Sequence, residues 1–263
     1  MTLCIAWRDT QGVIHLASDS RVTVANNSYE DVAVKVTRIL CEVFPPSSNL
    51  SNGNGVIRIP LGIAFAGSHL GAYVVKESLV EVLSRLQFVP GVSEISMDKI
   101  VKIAFHAYEK LSKRLCSTSI GKNGISEIFL TGFCPKHTAV RAFKLSTDPL
   151  TNTHSCNEIL TKGAPQVELS GSGKNAPSLQ NKLSTNPLRA LKDVIEDATR
   201  LDVGGAFQYG VCTAQDFQIF CEYLIDPTGW PAYLRAGLDI NSMISANDFD
   251  DLFIAPLMYD LNA

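Results

Sequence analysis

The chain opens Met1-Thr2-Leu3-Cys4-Ile5-Ala6-Trp7-Arg8-Asp9-Thr10-Gln11-Gly12-Val13-Ile14-His15-Leu16-Ala17-Ser18-Asp19-Ser20-Arg21. Two short apolar runs, 3–8 and 13–18, flank the turn-forming tetrapeptide Asp9-Thr10-Gln11-Gly12, which predicts a β-hairpin starting within a residue or two of Met1. Removal of Met1 would leave Thr2 first in the chain. A threonine there carries both halves of nucleophilic chemistry, an attacking Oγ and a free α-amine that can take its proton. Asp19 stands at the end of the second run, and Lys35 follows sixteen residues later.

Beyond the hairpin, 32–44 and 56–66 read as a second strand pair. The loop between them, 45–55, is rich in Pro, Asn and Gly. After Ala66-Gly67-Ser68 the apolar period changes from two to about 3.6. Val75, Leu79, Val82, Leu83 and Leu86 fall on one helical face, and Pro90 and Gly91 end it. A second helix is predicted from near Ser96, with Ile100, Ile103, Ala104, Ala107, Leu111 and Leu115 as its stripe. Residues 127–133 and 139–145 predict another hairpin, and 166–169 a short strand. Two more helices follow, one over 177–183 and one from Pro187, which sits well as a first helical residue after Asn186. The latter carries Leu188, Leu191, Val194, Ile195 and Ala198, and Gly204-Gly205 would stop it. Residues 207–213 and 218–224 make a last hairpin. This order of strands, helix pair, strands, helix pair, strands predicts an α+β fold. Two stacked antiparallel sheets with helices on both outer surfaces, a four-layer α/β/β/α sandwich, would bury every apolar face.

With 46% hydrophobic residues among 263, the chain can fill a substantial core. A net charge of −3 without a clustered Lys/Arg face argues against nucleic-acid binding. No window reaches the roughly 18 apolar residues of a membrane span, and Arg8 and Asp9 break the first run too early for a signal peptide, so a cytoplasmic protein is expected. Seven cysteines (Cys4, Cys41, Cys116, Cys134, Cys156, Cys212 and Cys221) form an odd set without a CxxC pair, which predicts reduced thiols rather than disulfides or a zinc site. His15, His69, His106, His137 and His154 lack metal spacing, and the acidic stretch 247–251 lacks the glycine and terminal Glu of a calcium loop. No metal or cofactor is expected.

Five segments in order, Thr2-Leu3-Cys4-Ile5, Ala17-Ser18-Asp19-Ser20-Arg21, Val34-Lys35-Val36, Ala66-Gly67-Ser68 and Ser170-Gly171-Ser172-Gly173, resemble the N-terminal nucleophile (Ntn) hydrolases, and within them the proteasome β-subunit family with its bacterial members. The match runs from residue 2 to about residue 225, which implies a proteasome-like domain over 1–225 and an extension over 226–263. The resemblance implies a threonine-type endopeptidase. Thr2 would attack a peptide carbonyl, Lys35 would favour deprotonation of its hydroxyl and amine, Asp19 would pair with Lys35, and the Gly67 N–H would donate to the oxyanion. Ser172 would complete a polar network at the amine. Many members carry an Asp and, three residues on, a Ser at the corner that here reads Arg200-Leu201-Asp202-Val203-Gly204-Gly205. This chain has no such Ser, and Asp202 takes the acidic place in a shortened corner. The hairpin also holds one residue more than is usual, placed at 9–12.

The family further implies peptides or unfolded proteins as substrate, identical subunits in a ring or stack, and an ATPase as a candidate partner. Two alternatives stand beside the peptidase: a small-molecule amidase or acyl-transfer enzyme of the same fold, and a catalytically silent structural or partner-binding subunit. The early first strand leaves no room for the helix that precedes it in α-type subunits, which favours the β-type. Cys4 is a second candidate nucleophile, and His69 stands beside Gly67. Trp230, Tyr233, Leu234, Phe249, Leu252, Phe253, Ile254, Leu257 and Met258 make the extension too apolar for a free tail and predict packing on the domain or on a neighbouring subunit.

Overall fold

The opening hairpin forms around its turn: β1 (Cys4–Arg8) and β2 (Ile14–Ser18) pair antiparallel, with Cys4 opposite Ser18 and Arg8 opposite Ile14. Asp9 holds the turn by accepting the N–H groups of Gln11 and Val13, each at 2.9 Å. The computed structural model describes residues 2–23, 28–46, 55–118, 120–161, 166–179, 182–225, 229, 231–236, 238–240 and 256–259.

Next along the chain are β3 (Val22–Thr23), β4 (Tyr29–Glu30), β5 (Val36–Phe44), β6 (Ile57–Gly67), α1 (His69–Leu83), β7 (Leu86–Gln87) and α2 (Met97–Cys116). Then come β8 (Ser126–Cys134), β9 (Ala139–Thr147), β10 (His154–Ile159), β11 (Val167–Ser170), α3 (Pro187–Glu196), β12 (Gln208–Cys212) and β13 (Phe217–Ile225). Short strands β14 (Pro231–Arg235), β15 (Leu238–Asp239) and β16 (Leu257–Tyr259) close the order. One sheet runs β11-β1-β2-β12-β13-β14-β15 with β16 also on β13; the other runs β10-β9-β8-β6-β5-β7; β3 and β4 pair separately. The fold is thus mixed α/β and mostly strand, with three α-helices among the described residues.

Apolar side chains collect in three layers. Val75, Leu79 and Leu83 of α1 and Ile100, Ala104 and Tyr108 of α2 pack on Leu61, Ile63, Ile128 and Leu130 of the six-stranded sheet. Ala6, Leu16, Cys212 and Phe217 meet Val36, Ala64 and Phe129 between the two sheets. Leu3, Ile5, Phe207 and Tyr209 meet Leu188, Leu191 and Val194 of α3 on the far side of the eight-stranded sheet.

Several expectations change. The stretch over 32–35 is not strand; β5 begins at Val36, and Val32 and Val34 are exposed. The first helix stops at Leu83, Val82 is exposed, and Leu86 instead joins β7, which adds to β5 in parallel. On α2 Ile100 and Ala104 of the expected stripe are buried and Ile103, Ala107 and Leu111 pack partly buried on the same core, while the buried line also takes in Tyr108, whose hydroxyl donates to the Ser126 carbonyl at 2.6 Å. Among its described residues, the segment 177–183 holds the single 3-10 turn Pro177–Leu179, too short to gain from helix propagation. It follows another such turn, Ser172–Asn175. Helix α3 ends at Glu196, before Ala198 and well before Gly204-Gly205. Strand β10 was not anticipated, and the pairs β5–β7 and β13–β16 are parallel in otherwise antiparallel sheets.

In the extension, Tyr233 and Leu234 lie in β14, half-buried. Leu257 and Met258 lie in β16 with side chains 45% and 53% exposed, while Tyr259 sets its ring edge-on to Tyr209 at 5.0 Å. Trp230, Phe249, Leu252, Phe253, Ile254 and the acidic stretch 247–251 lie outside the described residues, as does Met1. No helix among the described residues is long and apolar enough to cross a membrane.

Candidate active site

Strand pairing brings Thr2 and Asp19 together. Thr2 stands two residues before β1 and Asp19 directly follows β2, so the Cys4–Ser18 register brings them together at one end of the hairpin. Lys35 arrives from the second sheet, one residue before β5. All three are almost wholly buried.

The Thr2 hydroxyl donates to Asp19 Oδ1 and accepts from Lys35 Nζ. Lys35 Nζ also donates to Asp19 Oδ1 at 2.9 Å and to the Arg21 carbonyl at 2.5 Å, which engages all three of its protons. Burial pushes the Lys35 ammonium down from its ordinary pKa, with the Asp19 carboxylate opposing the shift. Asp19 accepts from five donors. Besides Thr2 and Lys35 these are the N–H groups of Leu3 (3.1 Å), Arg21 (3.2 Å) and Gly204 (3.2 Å).

The Thr2 nitrogen donates to Ser172 Oγ at 3.3 Å, and Ser172 Oγ donates to Asp202 Oδ2 at 2.6 Å. Arg200 holds that carboxylate at 3.0 and 3.2 Å. Burial alone would raise the Asp202 pKa, but the Ser172 and Arg200 hydrogen bonds outweigh it and hold the group below the usual carboxylate range. Asp202 therefore reaches Thr2 through Ser172, without the absent Ser of the corner. Val203 is packed in the core instead, and the carbonyl of Gly204 accepts from Ser20 and Arg21.

Gly67 ends β6 with φ +94°, a left-handed conformation that favours glycine, and a Cβ there would lie 2.8 Å from the Ile125 carbonyl oxygen. It lines, with Thr2, Lys35 and Ser172, an open cleft of about 950 Å³ whose other walls include Arg21, Phe65, Ser68, His69, Ile120, Lys122 and Ile125. Of the six residues singled out in the sequence, five are joined in one hydrogen-bonded chain and the sixth borders the same cleft. Cys4 stands apart: it is fully buried and its thiol is pushed up to about 12 by burial, which removes it as a nucleophile near neutral pH. His69 does line the cleft, and its pKa is lowered by burial first and by the charges of Lys35 and Lys76 second.

Sequence reasoning missed Gln208. Its side-chain oxygen accepts from the Lys35 and Val36 N–H groups, and its amide donates to the Asp19 and Ala33 carbonyls. The one signal available was an amide opening an otherwise apolar strand. Also missed was the Arg21–Asp31 ion pair, made through Nε at 2.8 Å and Nη2 at 2.9 Å, which ties the residue after Ser20 to the stretch that leads into Lys35.

No protein-family model and no curated protein matches the sequence. Solved structures do match in fold. Anbu (ancestral beta-subunit) from Yersinia bercovieri aligns with a TM-score of 0.58 at 16% identity, over 82% of this chain and 86% of that one. A Gly-1 mutant of Anbu from Hyphomicrobium sp. strain MC1 aligns at 0.54 and 14%, over 80% and 81%. Anbu of a helical assembly from Pseudomonas aeruginosa aligns at 0.52 and 16%, over 80% of each chain. With its paired sheets and flanking helices, the chain has the fold of the Anbu ancestral beta-subunits.

Proposed function

We propose that the chain is a threonine-type endopeptidase of the proteasome β-subunit kind, an N-terminal nucleophile hydrolase acting through Thr2 once Met1 is removed. The observation that carries this reading is the Thr2 hydroxyl bonded to both Lys35 and Asp19 beside an open cleft. After removal of Met1, the nitrogen now bonded to Ser172 is a free α-amine. The Thr2 Oγ–H proton passes to that amine as Oγ bonds to the substrate carbonyl carbon. The Lys35 ammonium lowers the cost of negative charge on Oγ, and the Gly67 N–H donates to the oxyanion. The C–N bond then breaks, the leaving amine takes the proton from the α-ammonium, and an ester on Thr2 remains. Water attacks the ester with the same amine as base, releasing the acid and restoring the hydroxyl.

The three apolar layers support a four-layer α/β/β/α arrangement. The helical assembly formed by the Pseudomonas aeruginosa protein supports extending self-association to this chain. We place residues 1–225 in the catalytic domain, and 226–263 in an extension that packs on this domain or on a neighbouring copy; the pairing of β14 and β16 with β13 supports the former. Intact-mass measurement with a peptide epoxyketone tests the chemistry. Loss of Met1 and a single adduct that Thr2→Ala abolishes are expected. An unprocessed, unreactive chain overturns the proposal and leaves the silent subunit.

A further inference from the structure

The charges bordering the cleft are unbalanced in one place. Arg21, Lys35 and Lys122 all line it, and no Asp or Glu does among the described residues. Lys35 is neutralised from beneath by Asp19, and Arg21 from the side by Asp31. Lys122, on the 3-10 turn Gly121–Gly124, makes no ion pair among the described residues; its charge acts on the Asp148 carboxylate, which does not line the cleft, so no carboxylate meets it on the cleft side. His69 lies on the same lining, its ring tilted against Phe65 at 5.7 Å and stacked on Tyr73 at 6.4 Å. Its Nδ1 is buried with no hydrogen-bond partner among the described residues, none of which fixes the ring nitrogen that holds the proton. A group that can accept from an imidazole N–H would fix it. Phe65 and Ile120 supply apolar wall for a short methylene stem.

We propose that this cleft selects acyl groups whose side chain ends in a carboxylate, received between Lys122 and His69, and discriminates against those ending in an ammonium. This rests on the peptidase reading of Thr2 and adds the substrate class to it. The carboxylate meets a Lys122 charge that no acidic group pairs within the cleft and an imidazole donor, whereas an ammonium meets only like charge.

Three peptide epoxyketones that differ only in the side chain beside the reactive ketone, Glu, Gln or Lys, separate the possibilities by their rates of adduct formation on the processed protein. The Glu reagent is expected to react about fivefold or more faster than Gln, the upper end of what one exposed ion pair contributes, with Lys slowest. The Glu:Gln ratio should fall toward one in Lys122→Gln and in His69→Phe, which keeps a ring in the stack, and Lys122→Glu should reverse the order of Glu and Lys. Because each figure is a ratio within one protein, a general loss of reactivity does not imitate it. Equal rates for Glu and Gln, a faster Lys reagent, or ratios unchanged in all three variants would overturn the carboxylate preference while leaving the peptidase standing. No adduct from any reagent would overturn the peptidase reading and this inference with it.

Discussion

Gln208 grips Lys35 by the main chain: its Oε1 accepts the Lys35 N–H at 2.8 Å, while its Nε2 donates to the Asp19 carbonyl at 3.1 Å. The same side chain reaches the Val36 N–H at 3.2 Å and the Ala33 carbonyl at 2.7 Å, so one amide from β12 ties together the backbones that carry both charged residues. Gln208→Leu would strand these buried groups, each at a cost of about 1–3 kcal/mol. A loss of at least about 3 kcal/mol in urea unfolding is expected, with a fall in Thr2 adduct rate. Gln208→Glu keeps the acceptor but sets a buried carboxylate oxygen against the Asp19 and Ala33 carbonyls, so it should rescue neither measurement.

The Lys35–Asp19 pair has a different signature. Lys35→Met leaves a buried carboxylate without its counter-charge, a change that costs about 3–5 kcal/mol. Adding Asp19→Leu removes the stranded charge and should restore part of the stability. Reactivity should not return, because neither substituent can polarise the Thr2 hydroxyl. Thermal unfolding and intact-mass analysis of the single and double variants check this, and adduct formation by the double variant would contradict the assigned role of Lys35.

Most of the site was legible because it hangs on a hairpin. A turn tetrapeptide between two apolar runs fixes a register, and the register carries Asp19 to Thr2 wherever the sheets then go. Lys35 and Ser172 could be placed only by family order, since they arrive from the far sheet and from the turn after β11. Gln208 left almost no trace, as a single amide has no period and no spacing. Strand β10 was hidden for a related reason: His154-Ser155-Cys156-Asn157-Glu158-Ile159 is edge sequence, polar on both faces, and forms by pairing with β9 rather than from its own pattern. The helix pattern ran on to Leu86 because apolar spacing alone does not distinguish the last turn of a helix from a two-residue strand packed on the same core.

Stability should fall as pH drops from 7 toward 5, and His15 is one cause. Its ring lies parallel to those of Trp7 and Tyr209 in a three-ring cluster, with Nε2 3.0 Å from Asp9 and Nδ1 2.7 Å from the Tyr209 hydroxyl. Burial lowers its pKa below the ordinary 6.5, and the Asp9 hydrogen bond only partly offsets this. Above the unfolded value both states are neutral and His15 adds no pH dependence. Below it the unfolded chain binds a proton that the folded one refuses, so stability is lost from about 6.5 down to the folded pKa and then levels off. His69 has the same sign, whereas Asp9, whose pKa is lowered despite its burial by hydrogen bonds from His15 and the turn backbone, acts only at lower pH, below the ordinary 3.8. The slope of melting temperature between pH 7 and 5 should therefore flatten in His15→Gln and flatten further in His15→Gln with His69→Gln. An unchanged slope in the double variant would place the titration elsewhere.

Gly171 provides the most direct test of how closely Thr2 must be held. Its φ is +93°, and a Cβ there would stand 2.2 Å from the Thr2 carbonyl oxygen and 3.0 Å from Thr2 Cγ2. The Gly173 N–H also donates to that carbonyl at 3.1 Å, so the turn after β11 is what seats the nucleophile against Lys35 and Asp19. In Gly171→Ala the backbone strain costs about 1–3 kcal/mol, and the clash pushes Thr2 off its position. A displacement of about 1 Å in a reacting group can cost about a hundredfold in rate. The expected outcome is a folded protein with a modestly lower melting temperature and an adduct rate reduced about a hundredfold. Gly229→Ala, also at positive φ but with nothing among the described residues within 4 Å of its Cβ, should show the strain without the loss of reactivity. If both variants keep the wild-type adduct rate, the turn at Gly171 does not position the nucleophile.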